Sequence, residues 1–352
     1  MSMTIWGFLG LLIVHGQRFI VYPSGFVPRP RDVREPSLFG IPHEVLELQT
    51  PDKVTIHCHL MRFSGFRESG HHRTRHTGSY PSNGRATVLM FHGNAMDHGE
   101  MIDLAIEFLS MGCNVVTVSY RGYGHSTGTP SEAGLRKDAQ TVLDHVLSHD
   151  VLSSIPVVVY GQSLGGAVSI DLVYNNTDKI SALIIENTFM SIPLLVKDFP
   201  QPLGSLSFLC TQRWPSSDRI QKIPKSIPVL MLGGDEDQVV PPKHMQGLWA
   251  AAKTRGSSVD DDEITEKHVG CFPHFSSKPA VKSGSDILRE LDVVSGPADW
   301  RNGKDRFKLF AKRRHETTCY DPGYWPTIRS FLNDLPTSTS TTTASTSTAT
   351  IS

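Results

Sequence analysis

From Ala86 onward, short apolar runs alternate with longer amphipathic ones. Residues 87–91, 114–119, 155–160, 182–185, 228–232 and 307–310 are short and almost uninterruptedly apolar, the pattern of strands covered on both faces. The stretches 100–110, 131–149, 164–174 and 243–252 have helical periodicity and fall between them, with Ser131 placed to cap the second. Strand and helix in alternation predict a parallel sheet joined by crossover helices. Ahead of this unit, 43–49 and 53–61 alternate polar and apolar positions, and Thr50-Pro51-Asp52 between them predicts an antiparallel hairpin. A last helix is expected over 322–332.

Several segments break the rhythm. Residues 1–22 open with an apolar stretch in which Ile5 to Val14 carry no charge. Alone that stretch is shorter than the roughly 20 residues needed to cross a bilayer, and extension to Tyr22 places Gln17 and Arg18 deep. It predicts either a membrane anchor or a segment packed at an interface, and Arg18, Arg29, Arg31 and Arg34 behind it favour a cytosolic main domain if it inserts. Residues 23–40 hold Pro23, Pro28, Pro30 and Pro36 and read as a connector, so the globular domain is expected over 41–335. Within it, 65–85 reads as a polar loop whose His71, His72, Arg73, Arg75 and His76 form a solvated basic stretch rather than a metal or phosphate site. Residues 188–219, rich in Pro and large apolar side chains, suit a small cap over a pocket. The polar, acidic stretch 256–304 reads as a flexible insertion, and the Ser/Thr tail 336–352 as disordered.

Composition narrows the function. The chain has 352 residues, enough for one large core, and 34 basic residues against 35 acidic give a formal net charge of −1. No bulk field is available to gather phosphates, which argues against a nucleic-acid partner. Cys58, Cys113, Cys210, Cys271 and Cys319 are scattered and odd in number, so neither a zinc site nor a disulfide framework is expected.

The chemistry begins at Gly161-Gln162-Ser163-Leu164-Gly165-Gly166, which follows an apolar strand. A serine on a tight strand-to-helix turn projects its hydroxyl freely, and the turn closes only if its flanks are nearly free of side chains. Such a serine needs a base to take its proton and a carboxylate to orient the base. Asp237, at the end of another apolar run, is the candidate acid, with Asp235 and Glu236 as rivals on spacing alone. His315, between the strand at 307–310 and the last helix, is the candidate base, with His274 as its rival inside the insertion. The order Ser, Asp, His is the one a nucleophile-elbow hydrolase requires. At the end of an earlier strand, Phe91-His92-Gly93-Asn94-Ala95 can aim the backbone N–H of Asn94 at a developing oxyanion, and Leu164 can supply a second N–H. Arg121-Gly122-Tyr123-Gly124-His125-Ser126 is expected to be structural support near the pocket rim.

These pieces, together with Phe19-Ile20-Val21-Tyr22-Pro23-Ser24, Glu186-Asn187-Thr188-Phe189 and Val239-Val240-Pro241-Pro242-Lys243-His244-Met245, resemble the α/β-hydrolase superfamily. More narrowly they are similar to the fungal bud-emergence type of serine-esterase-like hydrolases and their animal relatives. The resemblance implies an α/β fold with a mostly parallel central sheet, an antiparallel N-terminal hairpin, helices on both faces and a small cap. It selects Asp237 over Asp235, because the family's acid precedes a Val-Pro-Pro stretch, and it supports His315 as base. It departs from the family in its short N-terminal segment and in the length of 256–304. The function expected is a serine hydrolase of carboxylic esters or thioesters acting through an acyl-enzyme on Ser163, without metal or organic cofactor. Lipid or acyl-protein substrates rank first because relatives include depalmitoylating thioesterases. The expected location is membrane-associated, at the endoplasmic reticulum or plasma membrane, or otherwise cytoplasmic. The competing expectation is a membrane-associated polarity or interaction protein that keeps the fold without turnover. A carboxylate-nucleophile hydrolase is disfavoured by the serine at the elbow.

Overall fold

The computed structural model describes residues 17–18, 21–26, 32–68, 80–256 and 281–335. Its strands are β1 (Glu44–Gln49), β2 (Thr55–Met61), β3 (Ala86–Phe91), β4 (Cys113–Val118), β5 (Val157–Gln162), β6 (Ala182–Glu186), β7 (Val229–Gly234), β8 (Ala298–Asn302) and β9 (Asp305–Phe310). They form one sheet in the order β1-β2-β4-β3-β5-β6-β7-β9-β8. The hairpin β1–β2 joins β4 antiparallel, β8 joins β9 antiparallel, and the pairs from β4 through β9 are parallel. This is the α/β-hydrolase arrangement anticipated above, hairpin included.

The apolar runs become strands because both sheet faces are covered. On β5, Val157 and Val159 enter one core with Leu89, Leu183 and Ile185, while Val158 and Tyr160 enter the other with Val88, Met90 and Ile184. The first face is covered by α3 (Glu132–Ser148), α5 (Leu164–Asn175) and α8 (Lys243–Lys253). The second is covered by α2 (Ile102–Ser110) and α10 (Tyr324–Asn333). Ser131 caps α3 as expected, its hydroxyl accepting from Gly134 N at 3.1 Å. Four short helices lie between these: α1 (Phe63–Glu68), α4 (Asp150–Ser153) and, within 188–219, α6 (Ile192–Lys197), followed by a 3-10 turn Leu203–Leu209, and α7 (Ser216–Ile220).

Two expectations change. Phe63 and Phe66 bury one side of α1, so ordered structure extends into the stretch read as loop; His71, His72, Arg73, Arg75 and His76 lie outside the described residues. The insertion 256–304 is not uniformly loose: α9 (Gly284–Glu290) and β8 are ordered, while 257–280 lie outside the described residues. β8 escapes a composition-based reading because an edge strand needs one apolar face only. Its alternating burial leaves Trp300 stacked on Phe307 of β9 with ring centroids 4.9 Å apart.

The N-terminal segment reaches the fold before position 22. Tyr22 is buried, its hydroxyl accepting from Trp214 Nε1 at 2.9 Å and donating to Gln212 Oε1 at 3.1 Å. Tyr22 is therefore packed within the protein. Among the described residues no helix is long and apolar enough to cross a membrane.

Candidate active site

The register brings the strand ends together. Phe91 pairs with Gly161, Gln162 with Glu186, Glu186 with Leu232 and Gly234 with Phe310, so five successive parallel strands finish at one edge of the sheet. Ser163, Asp237, His315, Asn94 and Leu164 all follow strands that finish at that edge, where open α/β sheets gather their ligands.

Ser163 sits between β5 and α5 at φ 53° and ψ −118°, a left-handed backbone that costs a non-glycine residue of order 1–3 kcal/mol. The surroundings hold it there. Ser163 N donates to Glu186 O at 2.9 Å, and Ser163 O accepts from Gly166 N at 3.0 Å and from Thr188 Oγ1 at 2.7 Å. The elbow glycines are required by contact: a Cβ on Gly161 would lie 2.1 Å from Gly165 O, and one on Gly165 would lie 2.0 Å from Phe91 O. Ser163 is 9% exposed.

Asp237 leaves β7 in a tight turn, its Oδ1 accepting from Val239 N at 2.9 Å and Val240 N at 2.8 Å. Its Oδ2 lies 2.7 Å from His315 Nδ1, and the carboxylate is buried. Asp235 faces elsewhere: its Oδ1 accepts from Lys312 N at 2.6 Å, so this rival braces the loop that carries His315. Glu236 is exposed, and His274 lies outside the described residues.

Ser163 and His315 line the same cleft of about 570 Å³, with Gly93, Asn94, Met96, Leu104, Val239 and Tyr320 among its walls. Among the described residues no hydrogen bond joins the Ser163 hydroxyl to the imidazole. With Nδ1 engaged by Asp237, Nε2 is the nitrogen left for the cleft. Catalytic contacts of this kind are often long without substrate and tighten on binding. At the opposite wall, a Cβ on Gly93 would lie 3.6 Å from Ser163 Cβ, which brings the His92-Gly93-Asn94 turn against the serine. Neither Asn94 N nor Leu164 N donates to a protein acceptor among the described residues. Behind this turn His92 is fully buried with Nδ1 2.7 Å from Gly93 O, and burial lowers its pKa to about 4, so it supports the loop as a neutral ring.

Two residues that the sequence analysis named only as part of a motif, with no role, brace the site. Asn187, at the end of β6, donates from Nδ2 to His315 O at 3.0 Å and to Thr318 Oγ1 at 2.8 Å, and accepts from Gly234 N at 3.0 Å. Glu186 is fully buried beneath the site, accepting from Tyr160 at 2.6 Å and from Tyr324, and burial raises its pKa. The available signal was Asn187 itself, since Asn tolerates the φ of 44° that it adopts. Arg121 is structural, bridging Asp52 and Asp138 at 2.9 Å each and tying the hairpin turn to α3. Among the described residues none of 188–219, the stretch expected as a cap, lines this cleft.

A serine held at positive φ on a strand-to-helix elbow, above the carboxyl edge of a mostly parallel sheet, defines an α/β hydrolase. Residues 82–222 match the family described as serine aminopeptidase, S33. The chain is 37% identical to protein bem46 of Schizosaccharomyces pombe across 94% of this chain and 91% of that protein. It is 31% identical to the uncharacterized membrane protein YNL320W of Saccharomyces cerevisiae, across 81% of this chain and 91% of that one. Among solved structures, the Pyrococcus furiosus esterase Pf2001 shares the fold at a TM-score of 0.57 and 16% identity, covering 88% of this chain and 97% of the esterase. The chain belongs to the α/β-hydrolase family that includes protein bem46.

Proposed function

We propose that this hydrolase cleaves carboxylic ester or thioester bonds through an acyl-enzyme on Ser163. The observation that carries the reading is the buried Asp237 Oδ2 at 2.7 Å from His315 Nδ1, with His315 and the elbow serine on the walls of one cleft. In this reading Ser163 Oγ attacks the carbonyl carbon while His315 Nε2 takes its proton. The oxyanion accepts hydrogen bonds from Asn94 N and Leu164 N, and each such donor contributes about 3 kcal/mol where water is excluded. The tetrahedral adduct collapses as His315 returns the proton to the departing alcohol or thiol. A water deprotonated by the same imidazole then releases the acid. Asp237 holds the ring in the tautomer that leaves Nε2 unprotonated and stabilises the imidazolium that forms.

The apolar side chains of Met96, Leu104, Val239 and Tyr320 along the cleft support an acyl group as the part of the substrate bound there, which favours lipid or acyl-protein esters. Membrane association through the N-terminal apolar segment belongs to the same reading, supported by the uncharged run Ile5 to Val14 and by a relative described as a membrane protein. Labelling with a fluorophosphonate tests the nucleophile: the native chain should react and Ser163→Ala should not. Labelling that is equal in the two proteins rejects Ser163. A native chain that neither labels nor turns over acyl thioesters supports the competing reading, an interaction protein built on this fold.

A further inference from the structure

The walls of the Ser163 cleft combine apolar side chains with one sign of charge. Apart from His315, the ionisable side chains that bring charge to it are Glu100, Asp103 and Glu316, and among the described residues no lysine or arginine lines it. The carboxylates come from two separate stretches. Glu100 and Asp103 stand at the start of α2, and Glu316 directly follows the candidate base.

The neighbouring cations are engaged elsewhere or lie off the walls. Arg34 pairs with Asp103 at 3.1 Å, its guanidinium 4.8 Å from the centroid of the Phe39 ring. Arg313, two residues before His315, pairs with Asp321 at 3.1 Å, and neither Lys312 nor Arg313 nor Arg314 belongs to the cleft. Asp103 therefore has a local account, an acid in the first turn of a helix with a cation beside it. Glu100 and Glu316 have none: both are exposed, and among the described residues neither has an ion-pair partner.

The same cleft holds the groups that receive a carbonyl. Ser163 is only 9% exposed, yet among the described residues its hydroxyl has no hydrogen-bond partner, and the N–H groups of Asn94 and Leu164 are likewise without a protein acceptor. A cleft of about 570 Å³ is comparable in width to the Debye length of ~8 Å at physiological salt. Carboxylates on its walls therefore act on any charge that a substrate carries to Ser163. A cleft lined by one sign of charge concentrates ligands of the other.

We propose that the Ser163 cleft selects esters or thioesters whose leaving alcohol or thiol carries positive charge, with Glu100 and Glu316 as the specificity-determining residues. The acyl chain lies along Met96, Leu104 and Val239, and the cationic leaving group faces the two carboxylates. An acyl thioester on a lysine-rich peptide and an acylcholine share this chemistry, whereas the phosphates of an acyl-coenzyme A or an anionic phospholipid bring the repelled sign. The chemical step is that of the acyl-enzyme reading, on which the proposal rests: Ser163 Oγ bonds to the acyl carbon, the bond to the leaving oxygen or sulfur breaks, and that atom departs with the proton from His315. What is added is the charge of the group that leaves.

The test measures kcat/KM of the full chain on two substrate pairs with the same acyl chain. One pair is an S-octanoyl cysteine peptide flanked by lysines and its counterpart flanked by glutamates; the other is octanoylcholine and its uncharged isostere 3,3-dimethylbutyl octanoate. At low salt the cationic member should be preferred by about tenfold or more. The gap should narrow as salt rises, and Glu100→Gln/Glu316→Gln, two changes at exposed positions, should close most of it. A preference in the peptide pair alone assigns the cation to a basic polypeptide, and one in the choline pair alone assigns it to a small ester. An undiminished gap in the double variant overturns the role of the two carboxylates. If neither pair shows a gap while Ser163→Ala abolishes turnover, the inference falls and the acyl-enzyme reading stands. A chain that turns over none of the four substrates overturns the inference, and if fluorophosphonate labelling is absent as well, the acyl-enzyme reading falls with it.

Discussion

Asn187 Nδ2 donates to His315 O at 3.0 Å, so an amide at the end of β6 grips the backbone of the candidate base itself. The same side chain accepts from Gly234 N, three residues before Asp237, and donates to Thr318 Oγ1. One buried group thereby sets the spacing between the segment that carries the carboxylate and the segment that carries the imidazole. Asn187→Asp removes both donors and leaves His315 O facing a carboxylate, with each unmatched buried group costing about 1–3 kcal/mol. The rate of fluorophosphonate labelling should fall by about tenfold or more, as expected when a loop shift misplaces a reacting group. Stopped labelling time courses at a temperature where both proteins remain folded check this, and unchanged rates would show that the grip does not position the imidazole.

Asp237→Asn should preserve the two turn hydrogen bonds from Val239 N and Val240 N, because an amide oxygen can accept them. It removes the carboxylate that fixes the imidazole tautomer, so kcat/KM on an acyl ester should drop by about 10³–10⁴ with little change in melting temperature. Asp235→Asn is the control: its carboxylate braces Lys312 N, and turnover should change far less. Equal losses in the two variants would remove Asp237 from its role.

Gly165→Ala places a methyl 2.0 Å from Phe91 O, a backbone atom with no room to yield. The expected result is a destabilisation of about 3 kcal/mol or more, since overpacking against backbone exceeds the usual cost of an added methylene. Urea denaturation measures it, and a loss of a few tenths of a kcal/mol would contradict the close passage of β5, α5 and β3 on which the elbow depends.

Burial sets an acid limit on stability. His92 is fully buried with its pKa lowered to about 4, against about 6.5 for an exposed ring. Between these values the unfolded chain takes up a proton that the native chain refuses, so stability falls as the pH drops from 6.5 to about 4 and is unaffected by this ring above 6.5. The contribution is about 1.4 kcal/mol per pH unit within that window. His59, pushed to about 4 by burial and by the imidazoles of His43, His125 and His57, acts in the same direction. Denaturation midpoints collected from pH 7 to pH 4 should fall, and His92→Asn should flatten the slope; a slope indifferent to that substitution would exclude His92 as a source.

The residues that could be read in advance share a local cause. The elbow glycines, Ser131 as an N-cap and the apolar strand runs each obey rules written within a few residues of chain, and the structure follows them. β8 and α9 were missed because polar composition hides an element that needs cover on one side only, and Trp300 reveals its role only once Phe307 lies beneath it. Residues 188–219 stand out as a composition break, but that none of the described ones lines the Ser163 cleft was not legible, since nothing in them encodes which strand ends they stand over.

Sequence alone determined the kind of sheet, the turn that presents Ser163 and the order in which its candidate partners follow, because strand burial and turn sterics are short-range demands that local residues must meet. Choosing Asp237 over Asp235 by geometry, finding the Asn187 grip on His315 and joining Gln17 to Thr211 required the folded chain. The last two relationships span 128 and 194 residues, and a hydrogen bond across such a separation is fixed by the packing of the whole sheet.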